Sequence, residues 1–268
     1  MIVEANTSRR MDEKSEYPPA PEMAPEIVPV TNGPGVLITF EGGDGCGKST
    51  QSEFLSRLMS EAGYNVVRVR EPGGTLLGER LREILLDPTN ETLSARSELL
   101  MYEAARAQLV HEVIAPAIDA GKVVLCDRFT DSTMAYQGYG RGLGTETVDM
   151  LNSFATESMV PDLTIMLHCS DRSAKRERVD SRNGRDRIEL AGNDFHTAVI
   201  DAFLKLAEEE PERIVLIDTS GSHSETARSI AEAVSVLLPA IAADDDVLQA
   251  ELDLFEREFG NPDDGACG

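Results

Sequence analysis

Positive charge is scarce in this chain. Its 268 residues hold 48 Asp and Glu against 25 Lys and Arg, a formal net charge of −23. Such a field argues against broad binding to DNA, RNA or an anionic lipid surface, but leaves room for a local basic pocket around one small anion. Long apolar runs are missing too: nothing reaches the roughly 18 consecutive apolar residues of a membrane span. The opening stretch, MIVEANTSRRMDEKSEYPPAPEM, lacks the apolar core of an export signal. Cysteine is sparse, and Cys46, Cys126, Cys169 and Cys267 lie far apart with no CxxC pair. Reduced thiols and a cytoplasmic setting are the expectation. No internal repeat stands out.

What is present is an ordinary globular share of apolar residues, 41%, and a length that allows one large domain or two small ones with ample core. Residues 1–34 are rich in Pro, Glu and small residues and read as a disordered leader. From 35 to 240, short apolar runs alternate with helical patterns. VLITF (36–40), NVVRVR (65–70), KVVLCDR (122–128), LTIMLHC (163–169) and IVLIDTS (214–220) are the strand candidates. Helical spacing follows in 49–63, 96–120 and 225–238. Five such strands separated by helices predict an α/β domain, a mostly parallel five-stranded sheet covered on both faces. Residues 241–268 form an acidic tail, with nine acidic residues against the single Arg257 from 244 onward. A solvated tail is the expectation. Leu248, Leu252, Phe255 and Phe259 nonetheless share one helical stripe, which offers docking as the alternative.

The stretch FEGGDGCGKST (40–50) sits between a strand and a helix and contains Gly42-x4-Gly47-Lys48-Ser49. This is the P-loop pattern. Successive backbone N–H groups point inward at phosphate oxygens, and glycine allows that close approach. Gly42, Gly43, Asp44, Gly45, Cys46, Gly47, Lys48, Ser49 and Thr50 are therefore the expected ATP-binding residues. Lys48 would neutralise the β- and γ-phosphates, Ser49 would ligate Mg²⁺, and the helix dipole would add positive potential. A P-loop does not say where the phosphoryl group goes.

Further motifs narrow the acceptor. With the P-loop, REPGGT (70–75), LLMYEAARAQL (99–109), DRFTDSTMAYQG (127–138) and DRIE (186–189) make a set that resembles the thymidylate kinase family over about residues 36–235. The resemblance implies a P-loop kinase fold with a short lid near 176–190. It implies transfer of the ATP γ-phosphoryl group to dTMP with Mg²⁺, toward dTTP, and homodimers. It also assigns residues. Arg128, at the carboxyl end of a strand, holds the dTMP phosphate, and Arg70 is its natural second contact. A surface salt bridge is the plain alternative for each. Asp127 joins the Mg²⁺ shell through water, or else caps or pairs with an arginine. Asp44 accepts the dTMP 3′-hydroxyl, or else stabilises its turn. Tyr102 stacks on thymine, where many members carry Phe, and Arg106, one turn on, donates to a base carbonyl; a core aromatic with a snorkelling arginine is the alternative. Ser132, Thr133 and Gln137 line the substrate pocket, and Tyr136 crowds the ribose 2′ position.

The lid stretch RERVDSRNGRDRIE (176–189) is the most basic part of the chain. A mobile cover would use such arginines on the transferring phosphoryl group; a salt-bridged helix surface is the alternative. Some family members carry arginine at the position of Gly45, while others supply it from the lid. With Gly45 this chain resembles the second kind. Arg182 and Arg187 are thus the expected catalytic arginines beside Lys48 and Arg128. Two rivals stay open: another P-loop nucleoside or nucleoside monophosphate kinase, and a nucleotide-dependent switch. A guanine-reading NKxD is missing from the chain.

Overall fold

The five apolar runs all become strands. The computed structural model describes residues 34–170, 186–242 and 245–259. The leader 1–33 and the lid arginines at 176, 178, 182 and 185 lie outside the described residues. Strands β1 (Val36–Gly42), β2 (Val66–Arg70), β3 (Val123–Asp127), β4 (Leu163–His168) and β5 (Ile214–Asp218) form one sheet in the order β2-β3-β1-β4-β5, with every pair parallel. Phe40 and Arg70 both align with Asp127 in register. The carboxyl ends of β1, β2 and β3 therefore open onto one edge, beside the central strand where ligands of open α/β sheets bind.

Period-two alternation sorts the strand side chains into two layers. Ile38 and Phe40 face a core built with Phe54, Leu55 and Leu58 of α1 (Lys48–Glu61). Leu37, Val124 and Cys126 face the other way, toward Leu109, Val110 and Ile114. The helical pattern at 96–120 forms α3 (Ala95–Leu109), after α2 (Leu76–Leu86), and continues through a wide π turn at 110–114 into α4 (Ala115–Asp119). Pro116 lacks the N–H that regular helix pairing needs, and the widened turn absorbs this. A short α5 (Thr130–Thr133) follows β3 and also widens, through 134–140, before α6 (Thr145–Thr156). Helices α7 (Asn193–Glu209) and α8 (His223–Ser235) complete the layers. A Ser222–Glu225 capping box starts α8.

The acidic tail departs from expectation. Asp245–Phe259 is a helix, α9, and Leu248, Leu252 and Phe255 are buried in the α1 and α8 layer. Phe255 packs on Phe54 with ring centroids 4.9 Å apart. The reason is amphipathicity. The acidic residues face solvent or pair outward, as Glu258 does with Arg57 at 2.6 Å. The apolar stripe is worth about 1.5–3 kcal/mol for each large side chain fully buried. Net charge describes the outer face of the helix and is silent about the inner one. Phe259, the last member of the stripe, stays 37% exposed.

Candidate active site

The glycine-rich loop leaves β1 through Gly42 at φ 125°, where a Cβ would lie 2.1 Å from the Leu167 carbonyl oxygen. Only glycine lets β4 pack so close. Gly47, at φ 87°, begins α1 with no side-chain cap and no acidic residue in the first turn. The first N–H groups of α1 are thus left for an anion. Lys48 folds over the loop and donates to the carbonyls of Gly42 (3.1 Å) and Gly43 (2.9 Å). Burial lowers its pKa, with help from Arg128 and against the pull of Asp127 and Asp44. Ser49 Oγ donates to Asp127 Oδ2 across 2.8 Å.

Arg128 follows β3 in the left-handed region, at φ 71°. Its Nη2 donates to Asp44 Oδ1 (2.6 Å), its Nη1 to Gly42 O and Ser132 Oγ (both 3.1 Å), and its guanidinium lies 5.2 Å from the centre of the Tyr136 ring. Tyr136 Oη reaches toward Asp44 Oδ2 at 3.4 Å. Glu41, wholly buried, fixes this turn: it accepts from Phe129 N (2.6 Å), Ser132 N (3.2 Å) and Ser132 Oγ (2.5 Å). Burial and the nearby Asp131 raise its pKa to about 7, against these hydrogen bonds and Arg128.

These groups share one cleft. Asp44, Gly45, Gly47, Lys48, Ser49, Thr50, Arg70, Tyr102, Arg106, Asp127, Arg128, Ser132, Thr133, Tyr136 and Gln137 all line it. Gly42, Gly43 and Cys46 lie behind the loop, against Leu167 and Phe203. Arg70 is half exposed and paired with Glu79 at 2.9 Å. Burial pushes the Tyr102 phenol up, so it enters the cleft as a neutral ring.

Two of the expected site arginines are engaged within the protein. Arg106 Nε and Nη2 donate to Glu71 Oε2 (2.8 and 2.6 Å), Nη1 to Asn152 (2.6 Å) and Glu103 (3.2 Å), and Nη2 also to Thr133 Oγ1 (2.9 Å). All five N–H donors are engaged, which a fully buried guanidinium requires. Arg106 is the floor of the cleft. Arg187, unlike Arg106, is outside the cleft lining. Its Nη1 lies 2.6 Å from Glu98, its Nε donates to Leu85 O (2.8 Å), and its backbone N–H to Leu86 O (3.1 Å). It anchors the segment after the expected lid. Arg182 lies outside the described residues.

Sequence reading also missed groups. Glu41 had a signal, a carboxylate ending an apolar strand. Glu98 had a weaker one, four residues before Tyr102 on α3. Glu71, inside the REPGGT motif but given no role there, and Arg82, which nothing in its local pattern marks, also line the cleft.

The hard oxygen pair Ser49 and Asp127, beside Lys48, suits Mg²⁺. Among the described residues no cluster of three or more His, Cys, Asp or Glu is arranged to hold a metal. A parallel sheet with a glycine loop, its lysine and an arginine clamp at the strand ends defines a P-loop phosphotransferase. The thymidylate kinase family model matches residues 40–230. The chain belongs to that family. It is 48% identical over 205 residues to thymidylate kinase of Geotalea uraniireducens (strain Rf4), covering 75% of this chain and 96% of that one. It is 46% identical over 201 residues to thymidylate kinase of Pelobacter propionicus, covering 73% and 92%. Among solved structures, thymidylate kinase from Ehrlichia chaffeensis superposes with a TM-score of 0.62 at 34% identity, over 75% of this chain and 99% of that one. Helix α9 lies beyond the matched segment.

Proposed function

We propose that this enzyme transfers the γ-phosphoryl group of ATP directly to dTMP, giving dTDP and ADP. The observation that carries the reading is one cleft lined both by the P-loop with Lys48 and by Arg128, Tyr102, Thr133 and Gln137. Phosphoryl transfer between nucleotides is mainly positioning and charge neutralisation. Arg128 and Arg70 would hold the acceptor phosphate, Tyr102 would stack on the base, and Tyr136 would crowd a ribose 2′-hydroxyl. Asp44 would orient the sugar from its pairing with Arg128. Ser49, and Asp127 through water, would hold Mg²⁺, which supplies charge neutralisation on the ATP phosphates. Arg182 is retained as the lid arginine.

The enzyme is further proposed to act as a homodimer in the cytoplasm. Leu100 of α3 and Met150 and Phe154 of α6 are exposed, Phe154 by 83%, and such an apolar surface favours a partner copy. Cys46, Cys126 and Cys169 are buried thiols. Among the described residues no helix is long and apolar enough to cross a membrane.

The test is ATP turnover with each nucleoside monophosphate in turn. dTMP should be the best acceptor, with AMP, GMP and CMP far behind; preference for AMP or CMP would overturn the reading.

A further inference from the structure

Glu98 stands on the buried face of α3 at the back of the cleft and is wholly buried. Its carboxylate collects donors from three directions. Oε1 accepts from Gln137 Nε2 at 2.8 Å and Arg141 Nε at 3.0 Å. Oε2 accepts from Arg141 Nη2 at 3.1 Å and lies 2.6 Å from Arg187 Nη1. Burial alone would raise its pKa, but the hydrogen bonds from Arg141 and Gln137 outweigh burial and hold it below the ordinary value. An ionised carboxylate only accepts. Gln137 must therefore turn its NH₂ toward Glu98. The amide oxygen is then the atom left for the cleft that Gln137 lines.

This polarity matters for the base. Thymine and uracil carry a ring N–H at N3, flanked by carbonyl oxygens. Cytosine carries a bare nitrogen there. A fixed acceptor meets the first and faces a second acceptor in the other. A site built for a hydrogen bond rejects the analogue that leaves its buried group unpaired. We propose that Glu98 is a positioning residue for base selectivity: it locks Gln137 as an acceptor and so selects a pyrimidine with N3–H. The inference rests on the dTMP reading above. The same carboxylate holds Arg187, so the base reader and the foot of the expected lid share one anchor.

Glu98→Gln tests it. Two arginine donors, Arg141 Nη2 and Arg187 Nη1, meet Oε2 against one, Arg141 Nε, at Oε1, so the introduced amide places its oxygen at Oε2 and its NH₂ toward Gln137, with Arg141 Nε turned aside. Gln137 must then flip and show its own NH₂ to the base. The readout is kcat/KM for dTMP, dUMP and dCMP. The dTMP-to-dCMP ratio should fall at least tenfold, about 1.4 kcal/mol. The dTMP-to-dUMP ratio should hold within twofold, because both bases carry N3–H, and the KM for ATP should not move. A folded variant with an unchanged dCMP ratio would overturn the proposal. So would a parallel change in both ratios, which marks a merely loosened pocket. If that variant does not give a cooperative thermal transition, Glu98→Asp, which keeps the charge near the arginines but withdraws the carboxylate from Gln137, is read in the same assay. A selective fall in the dTMP-to-dCMP ratio supports the locked acceptor, and an unchanged ratio overturns it. Failure of the kinase reading looks different: the unmodified enzyme would not phosphorylate dTMP at all.

Discussion

Arg128 Nη2 lies 2.6 Å from Asp44 Oδ1, so the loop after β3 is tied to the glycine-rich loop after β1. The arginine proposed to meet the acceptor phosphate is held by the loop proposed to meet the donor. Arg128→Ala breaks this tie and removes the clamp. The expected result is a fall in kcat/KM for dTMP of at least about tenfold, or roughly 1.4 kcal/mol, with the ATP KM much less affected. Steady-state kinetics in both substrates checks it; unchanged constants for dTMP would reduce the pair to a structural contact.

Lys48 donates to two carbonyls of its own loop, contacts that an arriving phosphate replaces. Lys48→Ala should lower kcat by about 10²–10³, the scale of losing one charge-stabilising donor in the transition state. Single-turnover transfer to bound dTMP reads this without product release.

Different roles are expected for Arg187 and Arg182. Arg187 is held by Glu98 and Leu85, so Arg187→Ala should lower thermal stability and raise KM more than it lowers kcat. Arg182→Ala should cut kcat by at least about tenfold, as removal of part of an arginine-finger charge does. Equal single-turnover rates for Arg182→Ala and the unmodified enzyme would leave the lid as a cover only.

Helix α9 belongs to the folded core. Phe255→Ala should cost about 3–5 kcal/mol, as for other buried phenylalanines. Deleting 244–268 should lower the Tm clearly while turnover at 25 °C stays within about twofold. A truncated chain that melts at the unmodified temperature would show that the helix contributes nothing.

Glu41 and Glu71 are each raised by burial from 4.5 to about 7. Each binds its proton more tightly folded than unfolded. Stability from these groups is fully present below about pH 4.5, is lost as pH rises through about 7, and changes no further above that. Glu41→Gln should flatten this fall. Denaturant unfolding at pH 5, 6, 7 and 8 for both proteins checks the slope, and identical slopes would contradict the buried titration.

Much of this was legible in the chain. The P-loop follows from spacing because backbone geometry permits few alternatives at Gly42 and Gly47. The strands follow because a sheet covered on both faces needs continuous apolar runs. The network around Arg106 was not legible, because its partners Glu71, Thr133 and Asn152 come from distant segments, and no local pattern counts donors. Glu98 was passed over for the same reason: Arg141 and Arg187 reach it from elsewhere in the chain. The tail was misread because its abundant carboxylates outweighed four apolar residues at helical spacing, though those residues decide whether the helix docks.

The floor of the cleft also constrains how this sequence can change over time. Arg106 spends five donors on Glu71, Glu103, Asn152 and Thr133. Lysine has three donors in a different geometry and cannot replace it, and loss of either carboxylate leaves a buried cation short of its partner. Residues in one such network do not mutate independently. Single substitutions here meet a barrier that the solvated face of α9 does not impose. The cluster can drift only by paired exchanges, so descendants of this chain will inherit it as a block while the acidic surface around it varies freely.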